Sequence, residues 1–103
     1  VGLELDIVSY TAVIDAFARA GDPFKAEEWL SKAIDSGLKP NIISFTSVIS
    51  ACARAGEYTM AEELLTATLG IGLDADINIY TAVIDACAKA GEYVEAGKWL
   101  SKA

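Results

Sequence analysis

Apolar residues recur at steps of three and four along most of the chain, the spacing of one face of an α-helix. Tyr10, Val13, Ile14 and Phe17 form one such stripe. Phe45, Val48, Ile49 and Cys52 repeat it, and Tyr80, Val83, Ile84 and Cys87 repeat it again. A different stripe follows each of these. Its members are Ala26, Trp29, Leu30 and Ala33, then Ala61, Leu64, Leu65 and Thr68, then Ala96, Trp99, Leu100 and Ala103. The pattern predicts two helices per copy and three copies.

The copies are nearly verbatim. "YTAVIDAFARAG" starts at Tyr10, "FTSVISACARAG" at Phe45 and "YTAVIDACAKAG" at Tyr80, each 35 residues after the last. Residues 7–33 and 77–103 share 17 of 27 positions. "GLELD", "GLKPN" and "GLDAD" begin at Gly2, Gly37 and Gly72 with the same period. Residues 1–6 therefore read as the tail of a preceding copy, followed by copies at 7–41, 42–76 and a truncated one at 77–103. Starting and stopping inside a copy, the sequence reads as part of a longer parent. A fixed period between 20 and 50 residues marks a solenoid.

Local signals set the helix ends. Gly21, Gly56 and Gly91 each follow a basic residue and an alanine, a helix end with glycine free to take positive φ. Ser9 and Ser44 are candidate N-caps, with Asp6, Asn41 and Asp76 as rivals. Asp22 before Pro23 reads as a cap followed by proline in the first turn. Gly37 and Gly72 close the second helices, and Pro40 blocks helix through the connector. Short loops force each helix pair antiparallel. One hairpin cannot bury its stripe alone, whereas stacked hairpins bury it between neighbours. The expected fold is all-α: an α-solenoid of stacked antiparallel helix pairs with a concave inner face. Trp29 and Trp99 are then packing residues.

Composition narrows the chemistry. The chain is 53% apolar and 22% charged, which suits a folded domain. It has no apolar run near 18 residues, so no membrane span is expected. The start "VGLELD" lacks the basic and apolar blocks of a secretory signal, so any targeting segment would lie outside the chain. Histidine is absent, which removes the commonest general base and metal ligand. Cys52 and Cys87 hold equivalent places in two copies. Stacked helices sit about 10 Å apart, too far for a disulfide, so both read as small core residues. No cofactor, metal site or catalytic residue is expected. The net charge of −7 disfavours generic binding of polyanions, whose phosphates need Lys and Arg.

A second stripe recurs beside the apolar one on each first helix. It runs Val8, Thr11, Asp15, Arg19, then Ile43, Thr46, Ser50, Arg54, then Asn78, Thr81, Asp85, Lys89. Threonine is a poor helix-interior residue, yet it recurs at one place, and a cation recurs at another. A row of hydroxyls beside a row of cations makes a reading surface. The other account is that threonine bonds back to its own helix and the cation complements the helix C-terminus.

The 35-residue period, the aromatic–Thr start, the "ARAG" or "AKAG" ending and "GLKPN" resemble the pentatricopeptide repeat family, over essentially the whole chain. The tetratricopeptide repeat, with a period of 34 and a different first-helix pattern, fits less well. The resemblance implies sequence-specific binding of single-stranded RNA, one base per repeat. It implies base reading by Thr11 with Asn41 and by Thr46 with Asp76, with Thr81 parted from its partner by truncation. The family's code would assign adenine to the first pair and guanine to the second. Val8 and Ile43 match the side chains that wedge bases apart, and Asn78, at the same place, departs from them. Arg19, Arg54 and Lys89 match the cations that meet phosphate. The resemblance also implies a mitochondrial or plastid home and a part in RNA processing, editing, stability or translation.

Acidity and two complete pairs predict weak RNA binding by this chain alone. Glu27, Glu28, Glu62, Glu63 and Glu95 fall on second helices, away from that surface, but Asp15 and Asp85 fall on it. The main alternative is a protein-interaction scaffold, with self-association through exposed Trp99 and Leu100 as a variant. An enzyme is not expected: without histidine or Cys-x-x-Cys, the zinc deaminase signature cannot be present. Asp15 and Asp85 read as i,i+4 partners of the adjacent cations.

Overall fold

The computed structural model describes residues 7–39 and 41–102, with side chains from Ser9 onward. Asp6, Pro40, Ala103, the Gly2 motif and the side chain of Val8 lie outside the described residues. Six helices follow in order: α1 (Ile7–Arg19), α2 (Pro23–Asp35), α3 (Ile42–Ala55), α4 (Tyr58–Gly70), α5 (Ile77–Lys89) and α6 (Tyr93–Lys102). There is no strand among the described residues. No helix is long and apolar enough to cross a membrane.

Each odd-numbered helix packs against the even-numbered one that follows, so the chain is three hairpins. The hairpins stack through α1 on α3 and α3 on α5. The second helices α2 and α4 each also touch the next first helix, but the backbones of successive second helices do not approach one another closely, and α4 and α6 meet through the hydrogen bond from Trp99 to Glu62. One layer is therefore closely packed throughout and the other more loosely joined, in a body of 51 × 28 × 18 Å.

The core follows the stripes. Ile14, Leu30, Phe45, Val48, Ile49, Leu65, Val83 and both cysteines are buried. Thr68 is buried on the α4 stripe because its hydroxyl is returned to the Leu64 carbonyl at 2.8 Å. Cys52 and Cys87 are free thiols. Burial, with Glu57 and Glu27 nearby, pushes the Cys52 thiol up to about 12. Burial beside Glu62 and Glu95 pushes Cys87 up to about 11.

Caps end the helices where short polar residues permit. Asp22 accepts from the Lys25 N–H at 3.0 Å, with Pro23 opening α2. Asn41 caps α3 through the Ser44 N–H, and Asp76 caps α5 through the Ile79 N–H. Ser44 is thus not the cap of α3: it is the third residue of the helix, and its own N–H is the group being capped. Gly56, at φ 71°, closes α3. Its N–H reaches the Ala53 carbonyl, and the Glu57 N–H reaches back to Cys52 at 2.9 Å, a wrap that needs the left-handed backbone.

The tryptophans pack as the stripes imply. Tyr10 and Trp29 lie 6.0 Å apart by ring centroid, and Tyr80 and Trp99 repeat the arrangement at 6.3 Å. The expectation that Trp99 lies exposed for self-association is wrong. Its indole is buried, and its N–H donates to Glu62 of the preceding hairpin at 2.7 Å, while Leu100 is 67% exposed. The aromatic N–H found a carboxylate partner across the hairpin boundary, which draws the ring inward. Glu62 is therefore not a solvated outer acid. Burial and the adjacent Glu95 push its carboxyl up against the pull of the Trp99 N–H, while Lys98 and the hydrogen bond with Glu62 hold Glu95 down.

Candidate nucleic-acid interface

The threonine stripe faces outward from the continuous layer of first helices. Thr11 and Thr46 are partly exposed and Thr81 is exposed, so none is buried. Two adjacent depressions open along α1 and α3, of about 480 and 390 Å³, within the range of small-ligand sites. Thr11 and Asn41 line the first. Thr46 and Asp76 line the second. Ile43, 61% exposed, borders both, as do Ser47, Asp15 and Arg19. Each threonine thus shares a depression with an Asn or Asp that lies 30 residues further on. Asn78 and Thr81 sit exposed on α5 and border neither depression.

The two pairs are held differently. Asn41 Oδ1 accepts from the Ser44 N–H at 2.9 Å and from the Ser44 hydroxyl at 3.0 Å. Ser44 Oγ, fully buried, lies 2.9 Å from Thr11 Oγ1. Asp76 Oδ1 accepts the Ile79 N–H at 3.0 Å, with no hydroxyl at the place of Ser44. Thr46 donates its hydroxyl to the Ile42 carbonyl of its own helix at 2.7 Å. Capping occupies one side-chain oxygen of each Asx residue, and since both residues are exposed the other terminal atom is available to a ligand. That atom is an amide nitrogen at Asn41 and a carboxylate oxygen at Asp76.

The cations are partly engaged. Arg19 Nε meets Asp15 at 2.8 Å and Lys89 meets Asp85 at 3.4 Å, both i,i+4 on one helix. Arg54 Nη2 donates to the Ala18 carbonyl at 2.7 Å, tying α3 to the C-terminal turn of α1. The structure thus contains both arrangements that the stripe allowed: back-bonded Thr46 and paired cations, within surfaces that also open to solvent. The sequence does not single out Ser44, buried beneath the first pair, or Ser47, at the rim of both depressions, as part of this site. The signal for Ser44 was present only as a candidate cap, and Ser47 has Ala12 and Ala82 at the equivalent places.

Among the described residues there is no group of three or more acidic or thiol side chains that could hold a metal ion.

Comparison with known proteins agrees with this architecture. A model described as the PPR repeat family matches residues 5–66, and one described as the PPR repeat matches residues 79–102. No curated protein matches the sequence. The crystal structure of the pentatricopeptide repeat protein PPR10 from maize superposes with a TM-score of 0.89 at 20% identity, covering 98% of this chain. PPR10 in complex with an 18-nt psaJ RNA element superposes with a TM-score of 0.86 at 21% identity, covering 94% of this chain. The chain spans 14% of the length of either structure.

Proposed function

Since the chain belongs to the pentatricopeptide repeat family, we propose that it binds single-stranded RNA along the α1–α3–α5 face, one base per repeat. The repeat divisions 7–41, 42–76 and 77–103 are part of this reading. So is a place in mitochondrial or plastid RNA metabolism, which rests on family membership alone. The observation that carries the proposal is the pairing of Thr11 with Asn41 and of Thr46 with Asp76, each in its own depression, with Ile43 between.

The chemistry of the outward atoms favours two different bases. The free amide of Asn41 donates, and adenine offers an unprotonated ring nitrogen to receive it. The free oxygen of Asp76 accepts, and guanine offers a ring N–H. Ile43 would separate the two bases by contact with both faces, and the position of Val8 would cover the first. Arg19, Arg54 and Lys89 would meet phosphate, and Thr81 with Asn78 would begin a third site.

Affinity should be low. Base stacking contributes about 1–3 kcal/mol per base even on aromatic platforms, and here two bases meet aliphatic ones on a chain of net charge −7. Isothermal titration with a short strand containing adenine and guanine should give a Kd weaker than about 10 μM. Submicromolar binding would overturn the charge argument. Equal binding of strands lacking either purine would overturn the base assignment.

A protein-docking role is the rival reading, and one feature favours it. Between α2 and α4 a groove of about 500 Å³ exposes Phe24 and Ile34 beside partly buried Met60 and the acids Glu27, Glu57 and Glu63. Charge reversal at Arg19 and Lys89 separates the two: RNA binding and its salt dependence should fall, whereas docking in that groove should not change.

A further inference from the structure

The proton count in the first pair has one solution. The Ser44 backbone N–H must have an acceptor, so the atom of Asn41 at 2.9 Å is its oxygen and not its amide nitrogen. Ser44 Oγ lies 3.0 Å from that same oxygen. A carbonyl oxygen carries no proton, so the serine hydroxyl supplies the one between them. The serine hydrogen is then spent. The 2.9 Å contact between Ser44 Oγ and Thr11 Oγ1 needs a hydrogen too, and it can come only from Thr11. Thr11 therefore faces the depression with lone pairs, and Asn41 faces it with an N–H.

We infer that Ser44 sets the hydrogen-bond polarity of the Thr11–Asn41 pair, committing it to bases that present an exocyclic amino group beside an unprotonated ring nitrogen. Adenine and cytosine have that edge. Guanine and uracil have the reverse, a carbonyl beside a ring N–H, and would set their carbonyl against the lone pairs of Thr11. Ser44 is a positioning residue: buried, it never touches the base, and it acts through the two side chains that do. The inference rests on the base-reading proposal and deepens it.

The second pair is the internal control. Ile79 stands where Ser44 does, 35 residues on, and carries no hydroxyl. Thr46 is joined to the Ile42 carbonyl, which also accepts a helix N–H, and no hydrogen bond links it to Asp76. Its hydrogen can turn outward without breaking a chain of three groups. That pair can meet a guanine carbonyl with a donor while Asp76 accepts the ring N–H.

The test compares affinities of the 103-residue chain for single strands that differ only in the base at the first site, by fluorescence anisotropy or chemical-shift titration. Ser44→Ala keeps the backbone N–H that holds Asn41 but frees the Thr11 hydrogen. The preference for adenine over guanine should fall by about three- to tenfold, the factor expected for one hydrogen bond, mainly through better guanine binding. Because the preference is a ratio from one preparation, loss of folded protein cancels. A purely packing role would weaken both strands alike. Ile79→Ser, a change outside the first site, should install the same lock on Thr46 and lower guanine binding at the second site by a similar factor. A Ser44→Ala protein that keeps the parent ratio, or an Ile79→Ser protein with unchanged guanine binding, overturns the inference. A parent chain with no preference between adenine and guanine overturns the base-reading proposal instead.

Discussion

Replacing Asp15 and Asp85 by asparagine should strengthen RNA binding, although neither residue is proposed to touch RNA. Each carboxylate holds the cation one turn further on, Arg19 at 2.8 Å and Lys89 at 3.4 Å. A phosphate bound on the far side of either cation would lie about 6 Å from the carboxylate, where like-charge repulsion is roughly 0.7 kcal/mol in water and about half that after physiological screening. Releasing the cation from a competing partner adds a similar amount, since exposed pairs are worth about 0.3–0.5 kcal/mol. Each substitution should therefore tighten binding by about 0.7 kcal/mol, and the double variant about tenfold. The cost to the fold is small, because the pairs are exposed: the Arg19 side chain is 80% accessible and that of Asp85 is 51%. The assay is fluorescence anisotropy on one labelled strand at several salt concentrations. In the double variant the slope of log affinity against log salt should steepen, by about 0.7 per phosphate newly engaged. Unchanged affinity together with an unchanged slope would mean that Arg19 and Lys89 do not meet the backbone, and the placement of RNA along this face would be wrong.

Other consequences are independent of RNA. Arg54→Gln should lower stability by about 1 kcal/mol, since it removes the charged donor that joins α3 to the Ala18 carbonyl. Arg19→Gln should cost less, and equal melting temperatures for the two would refute the bridging role. Glu62→Gln should raise the melting temperature at pH 7 slightly, because an amide accepts from Trp99 and donates to Glu95 without setting a second carboxylate charge beside it. With its folded pKa raised, Glu62 makes the parent protein gain stability as pH falls and the carboxyl takes up its proton. The advantage of the amide should therefore shrink as pH falls towards the ordinary carboxylate range, and an advantage that grew on acidification would refute the argument. Cys52 and Cys87, at about 12 and about 11, should resist alkylation in the folded protein. With a pKa near 11 only about one thiol in a thousand is ionised at pH 8, so labelling should be over a hundredfold faster in guanidinium. Equal rates would show that the thiols are not held in the core.

Much of the architecture was written in short-range signals. The 3.6-residue periodicity and the recurring glycines mark helix pairs without any knowledge of neighbours, and Asp22–Pro23 opens α2 as its local chemistry predicts. What could not be read depends on which group reaches which across the stack. Ser44 and Asn41 are both good cap residues, and only the backbone path decides that Asn41 caps while Ser44 becomes the third residue of the helix. The link from Ser44 to Thr11 spans 33 residues and two hairpins, and no periodic stripe encodes it, because the next copy has isoleucine at that place. Trp99 was misplaced for the same reason. Its N–H partner, Glu62, lies 37 residues earlier, in a position that the amphipathic pattern assigns to solvent.

The gap between α2 and α4 has a mechanical consequence. Helices in contact lie about 8–10 Å apart, whereas successive nucleotides in a stacked strand are separated by about 3.4 Å. The packed inner row cannot shorten to that pitch, so a bound strand has to unstack and stretch, leaving room for a side chain such as Ile43 between its bases. Because the backbones of α2 and α4 do not meet, the first two hairpins can pivot about the inner row as a book opens on its spine, whereas the hydrogen bond from Trp99 to Glu62 latches the third hairpin to the second. The stack can thereby adjust its pitch to the strand while its buried seam stays shut.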